Sequence, residues 1–190
     1  TLFRSALRDN TAGQFNVAVG NRALQDNTTG SQNTAVGVYT LSNNTIGINN
    51  TAVGQGVLYC NTTGNNNTAV GRSALCNNTI GVCNTAVGRY ALVNNTTGIN
   101  NTAVGANALF TNITGTCNTA IGLQALFSNT ANYNTAVGFQ SLFANTSGAN
   151  NTALGLWSLK ANTIGSSNTA LGNAALLVNT TGGCNTAVGT

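Results

Sequence analysis

The sequence predicts an all-β fold: a parallel β-solenoid (β-roll) of about eleven 17-residue coils. Three observations lead there. First, a unit of the form Asn-Thr-Ala-Val-Gly-x-x-Ala-Leu-x-x-Asn-Thr-Thr-Gly-x-x begins at Asn16, Asn33, Asn50, Asn67, Asn84, Asn101, Asn118, Asn134, Asn151, Asn168 and Asn185. Second, nine of the ten spacings are 17 residues and one, Asn118 to Asn134, is 16. Third, Ala in the third slot and Gly in the fifth recur in every unit, and Leu holds the ninth slot from Leu24 to Leu176. A short fixed period means that each unit buries its apolar face only by stacking on its neighbours. Residues 1–190 therefore read as a single repeat domain, with a partial unit at 1–15. The chain starts and stops in mid-repeat, which points to an excerpt of a longer repeat protein.

Taken in order along the unit, Asn-Thr-Ala-Val is short, rich in β-formers and followed by an obligatory Gly, so it predicts a strand ending in a turn. Alternation places Thr34 and Val36 on one face and Asn33 and Ala35 on the other. The Ala-Leu stretch reads as a second short strand, and Asn-Thr-Thr-Gly as the turn that closes the coil. Helix is excluded because Gly recurs twice per unit and the apolar positions never keep an i, i+3, i+4, i+7 pattern. The aliphatic fourth slot (Val19 to Val188) and the Leu slot are expected to form a narrow core, helped by ladders from the two invariant Asn columns. Two large aliphatics per coil are thin cover for 17 ordered residues, which predicts self-association. The surface expected to mediate it is the unbroken Ala column: Ala18, Ala35, Ala52, Ala69, Ala86, Ala103, Ala120, Ala136, Ala153, Ala170 and Ala187. The short unit drops its turn Gly at Ala131-Asn132, so the coil should change shape there, with Tyr133 covering the gap.

Composition narrows the function. Only 4% of the residues are charged, and His, Glu, Met and Pro are absent. Proton-transfer catalysis needs a positioned His or carboxylate. The two acids, Asp9 and Asp26, occupy variable slots, so no enzymatic activity is expected. Six scattered cations give a net charge of +4. Arg72 and Arg89 share a slot in adjacent units and should lie side by side. That makes a local patch rather than a phosphate-tracking stripe, so nucleic acid is not an expected partner. No run of 18 apolar residues exists to insert into a membrane as a helix.

The Asn-Thr-Ala-Val-Gly units resemble the YadA-like head repeats of trimeric autotransporter adhesins, with their Ser-Val-Ala-Ile-Gly signature. They resemble still more closely the Asn-Thr-Ala-x-Gly-Tyr-x-Ala-Leu-x-x-Asn-Thr-Thr-Gly arrays of bacterial surface proteins and phage tail fibres. The similarity covers essentially the whole chain. It implies a left-handed roll, a homotrimer, and a function of reach and attachment outside the cell, at a cell surface or in a virion tail fibre. The YadA-like unit is usually shorter than 17 residues, and no anchor, coiled-coil stalk or chaperone domain is present here. A helical extracellular filament built from the same roll is the other assembly considered.

Candidate sites lie in the variable slots. Tyr39, Tyr90 and Trp157 share the seventh slot, and Tyr59, Phe110, Phe127 and Phe143 the tenth. These aromatics read either as packing between coils or chains, or as contacts to host-surface or matrix glycans. Cys83, Cys117 and Cys184 share the last slot, roughly 10 and 19 Å apart along the axis and too far for disulfides. Cys76 and Cys83 flank one turn and could pair, with Cys60 as the competing partner of Cys76. Paired Cys or His at ligand spacing is absent, so no metal or other cofactor is expected. Asn-x-Thr sequons such as Asn27, Asn61, Asn95 and Asn179 follow from the motif. An ice-binding surface made of Thr columns is the alternative function. It is disfavoured here because the strand Thr is expected to share the face of the core Val.

Overall fold

A computed structural model describes residues 4–190; the first three residues of the partial unit lie outside the described residues. Eleven three-residue strands follow one another at the unit spacing: β1 (Val17–Val19), β2 (Thr34–Val36), β3 (Thr51–Val53), β4 (Thr68–Val70), β5 (Thr85–Val87), β6 (Thr102–Val104), β7 (Thr119–Ile121), β8 (Thr135–Val137), β9 (Thr152–Leu154), β10 (Thr169–Leu171) and β11 (Thr186–Val188). They form one parallel sheet in sequence order, and each residue pairs with its equivalent one coil away, as Ala86 with Ala103. The predicted β-solenoid is therefore the fold, and no helix occurs among the described residues. At the usual strand separation of about 4.8 Å, eleven coils make a rod roughly 50 Å long.

The strands are short because residues on both sides turn the chain. Gly88, at φ 136°, illustrates the fifth slot: an added Cβ would sit 2.6 Å from the carbonyl oxygen of Gly105 in the next coil. Only Gly combines that dihedral with so close an inter-coil approach.

The Ala-Leu stretch is not a second strand. It is a turn in which the seventh and ninth slots both have positive φ, near 57° at Tyr90 and 50° at Leu92. Its backbone still hydrogen-bonds coil to coil, Leu92 N–H donating to the Ala108 carbonyl at 3.0 Å. The seventeenth slot is also left-handed, as at Asn100 and Cys117.

Alternation along the strand holds, but its two sides are the reverse of those expected. The Ala column faces inward, with Ala35 through Ala170 fully buried. The aliphatic fourth slot faces out beside Thr; Val53, Val70 and Val87 are 36–37% exposed. The core is thus Ala from the strand, the eighth-slot residue and the ninth-slot Leu, all at or near zero exposure. A Leu column already fills the narrow interior, leaving room for only a methyl group on the facing strand. Where the eighth slot is polar it is satisfied within the core: the hydroxyls of Ser141 and Ser158 are 2.9 Å apart, and Ser141 also donates to Ala153 O at 3.1 Å.

Both Asn columns are buried and form the expected ladders. Asn95 Nδ2 donates to Asn78 Oδ1 at 2.8 Å and to Gly98 O at 3.1 Å. In the other column, the Asn101 amide N–H donates to Asn84 Oδ1 at 3.0 Å and its Nδ2 donates to Gly115 O at 2.8 Å.

The 16-residue unit keeps its strand pairing, Thr119 opposite Thr135. Ala131 O stands in for the missing Gly carbonyl, accepting from Asn118 Nδ2 and Asn129 Nδ2 at 2.8 Å each. Asn129 then makes no bond to the preceding ladder member, and Asn112 Oδ1 is left buried without a donor. Tyr133 does not cover this defect; it stands 59% exposed.

Candidate binding surfaces of the solenoid

Three surfaces follow from this geometry. The first is the outer face of the sheet, where Thr and aliphatic columns run in register from β2 to β11. The Ala column, expected to mediate self-association, is instead sealed inside each chain. A methyl group there contacts the core of its own coil, so whatever meets this sheet meets Thr and Val. Beyond the strand, Ile46, Ile80 and Ile164 in the fourteenth slot are each more than half exposed and add a further apolar row.

The second surface is formed by the seventh and tenth slots, which lie side by side. Here the aromatics divide. Phe110, Phe127 and Phe143 stack coil on coil, with centroids 5.0 and 5.2 Å apart and rings within 15° of parallel, and are only half exposed. They act as inter-coil packing. Tyr39 and Tyr59 meet edge to face at 6.2 Å. Trp157 lies against Phe139 and under the Lys160 ammonium, 5.0 Å from the ring. Arginines cap the tyrosines: Arg22 over Tyr39 at 5.3 Å, Arg89 over Tyr90 at 4.9 Å and Arg72 over Tyr90 at 5.9 Å.

Sequence reasoning missed these Arg–Tyr pairs, although the signal was present: the cations and the tyrosines share the sixth and seventh slots of neighbouring units. Between them open two clefts, of about 400 and 310 Å³, that share Arg22 and Tyr39. At the edge of the second cleft Arg8 bonds Asp9 at 2.8 Å and Asp26 at 3.3 Å. That bond and the guanidinium charge hold the Asp9 carboxyl below its ordinary range.

The third set is the thiols, and none of the five is paired. The Cys76–Cys83 bridge is not formed. Cys83 is exposed in the turn entering β5, whereas Cys76 sits half-buried beside Cys60, whose amide donates to the Cys76 carbonyl at 2.9 Å. Burial pushes both the Cys60 and Cys76 thiols up, and the neighbouring Cys60 raises Cys76 further. No group of three potential metal ligands exists among the described residues.

Three of the four sequons named above are closed to glycosylation in the folded chain, while Asn179 is partly buried and Asn49, Asn66 and Asn100, which also begin Asn-x-Thr, are exposed. Asn27, Asn61 and Asn95 are fully buried and commit Nδ2 to the ladder. No helix is long and apolar enough to cross a membrane among the described residues. Compared against protein families, curated proteins and solved structures, the chain matches none of them.

Proposed function

We propose that this chain is a structural, self-associating repeat protein, the head or shaft of an extracellular fibre that works by multivalent attachment. The observation that carries the reading is the outward aliphatic column, present in all eleven strands and alternating with Thr in ten of them. An ordered, outward-facing apolar strip of that length favours a partner surface of the same periodicity. A second copy of the chain supplies that periodicity in register. The scarcity of charge suits such packing, since little has to be desolvated. The resemblance to adhesin heads and tail-fibre arrays points the same way and favours three chains about an axis lined by Thr and Val. Rigid ladders give the fibre stiffness, and repeated weak contacts add through avidity.

Sedimentation and native mass spectrometry test this. The expected result is a trimer or a longer assembly that Val53→Lys with Val70→Lys disperses into folded single chains. A wild-type chain that stays monomeric at high concentration overturns the proposal.

One observation favours the alternative, an ice-binding module: Thr lies on the outside of the sheet in regular columns, not inside beside a core Val. Thermal hysteresis from single chains, lost in Thr68→Tyr with Thr85→Tyr, would put that reading first.

A further inference from the structure

We propose that the groove along the amino-terminal coils binds an acidic saccharide, a sugar chain carrying carboxylate or sulfate groups. The argument begins with charge. The whole chain has two acidic side chains, Asp9 and Asp26, and Arg8 takes both. Arg4, Arg22 and Arg72, which line the two joined clefts, therefore have no side-chain carboxylate to pair with. Counted by coils, Arg4 to Arg72 spans four steps, about 19 Å along the axis, enough for several sugar units.

Shape comes next. The seventh-slot column runs Arg22, Tyr39, Gly56, Ser73, Tyr90, and the missing side chain at Gly56 opens a notch between bulky neighbours. Tyr39 and Tyr59 wall it with apolar ring surface, and Arg22 and Arg72 stand at its ends. The backbone beneath is fixed: Gly56 N–H donates to Val38 O and Ser73 N–H to Gln55 O, each at 2.9 Å. Gln55 and Ser73 offer neutral hydrogen-bonding groups inside the notch. In the adjoining cleft, Gln25 gives its Nε2 to Asp26 at 2.9 Å while its Oε1 has no donor. Guanidinium for the anion, aromatic rings for the apolar sugar face and amide or hydroxyl groups for the hydroxyls together describe an acidic saccharide. Nucleic acid fits less well. The two tyrosines meet at 77° and present no parallel platform for successive bases, and the cations are too few for phosphate-driven affinity.

The proposal deepens the attachment reading and rests on it for its setting, but the two fail separately. Affinity is measured here on immobilised, dispersed chains, whereas the fibre reading stands or falls on assembly state. The probes are alginate oligomers for carboxylate, heparin oligosaccharides for sulfate, neutral dextran, and poly(dT). Binding of alginate or heparin but not dextran is expected, weakened at least tenfold by Arg22→Gln with Arg72→Gln. Gly56→Tyr should abolish it by filling the notch. That slot already holds Tyr39 and Tyr90 at nearly the same φ, and a Cβ at Gly56 meets nothing closer than 3.7 Å, so the fold should be kept with only a modest fall in melting temperature. Equal binding of dextran, tighter binding of poly(dT), binding that survives Gly56→Tyr, or no saccharide binding at all each overturns it.

Discussion

Three slots in every coil hold left-handed backbone, and the sequence marks them by what it leaves out. No Val, Ile or Thr occurs in the seventh, ninth or seventeenth slot, although all three are common elsewhere in the unit. A branched Cβ clashes at φ near +50°, whereas Leu branches one carbon further out. The signal is legible in the sequence, but it is carried by residue types that are absent from these slots rather than by ones that recur. That is also why a second strand was expected at Ala-Leu. Leu92→Ile, nearly neutral in an ordinary core, should here cost about 1–2 kcal/mol beyond the usual exchange, read as a fall in thermal midpoint. A loss no larger than that of Val87→Ile would contradict the left-handed assignment. The thiols give a second residue-scale prediction. Thiolate is the reactive form, and burial raises the Cys60 and Cys76 thiols. At pH 8, iodoacetamide should modify exposed Cys83, Cys117 and Cys184 first, with Cys60 and Cys76 catching up only as pH climbs. Peptide mapping by mass spectrometry reports the order.

At the scale of the strand, the period-2 alternation of Thr-Ala-Val was readable, but which side faces in was not. Hydrophobicity favours Val as the buried residue; available volume decides for Ala, because Leu and two Asn amides already occupy the coil interior. The candidate sites followed the same pattern. Slot sharing accounts for the Phe110–Phe127–Phe143 stack, but Tyr39–Tyr59 and Phe139–Trp157 meet across different slots, and the open Arg–Tyr groove depends on which residues flank each ring in the next coil. Two substitutions separate inside from outside. Ala86→Val should overpack the core and cost about 1–3 kcal/mol. Val87→Ala, on the outer face, should change single-chain stability by only about 0.5 kcal/mol. Denaturant titration of dispersed chains measures both, and a reversed ranking would return Val to the core.

At the scale of the whole rod, each coil touches only the coils above and below it, so stability is close to a sum of identical coil and interface contributions. The first and last described strands show the dependence directly: Ala18 and Ala187, each paired with a single described strand, are only half-buried, whereas Ala35 through Ala170 are sealed. In such an array the weakest interface governs where the stack opens, and the 16-residue unit supplies it. Loss of one Gly diverts Asn129 Nδ2 to Ala131 O, breaks the ladder between Asn112 and Asn129, and strands Asn112 Oδ1 without a donor. Elsewhere the same column runs unbroken, as from Asn61 through Asn78 to Asn95 at 2.8 Å per step. Inserting Gly between Ala131 and Asn132 restores the 17-residue period and returns the missing hydrogen bond. A buried acceptor regaining its partner is worth about 1–3 kcal/mol. The insertion should therefore raise the unfolding midpoint, and hydrogen exchange should slow most in residues 112–134. If protection there is unchanged while the outer coils gain it, the short unit is not the weak joint, and opening begins from the ends of the rod instead.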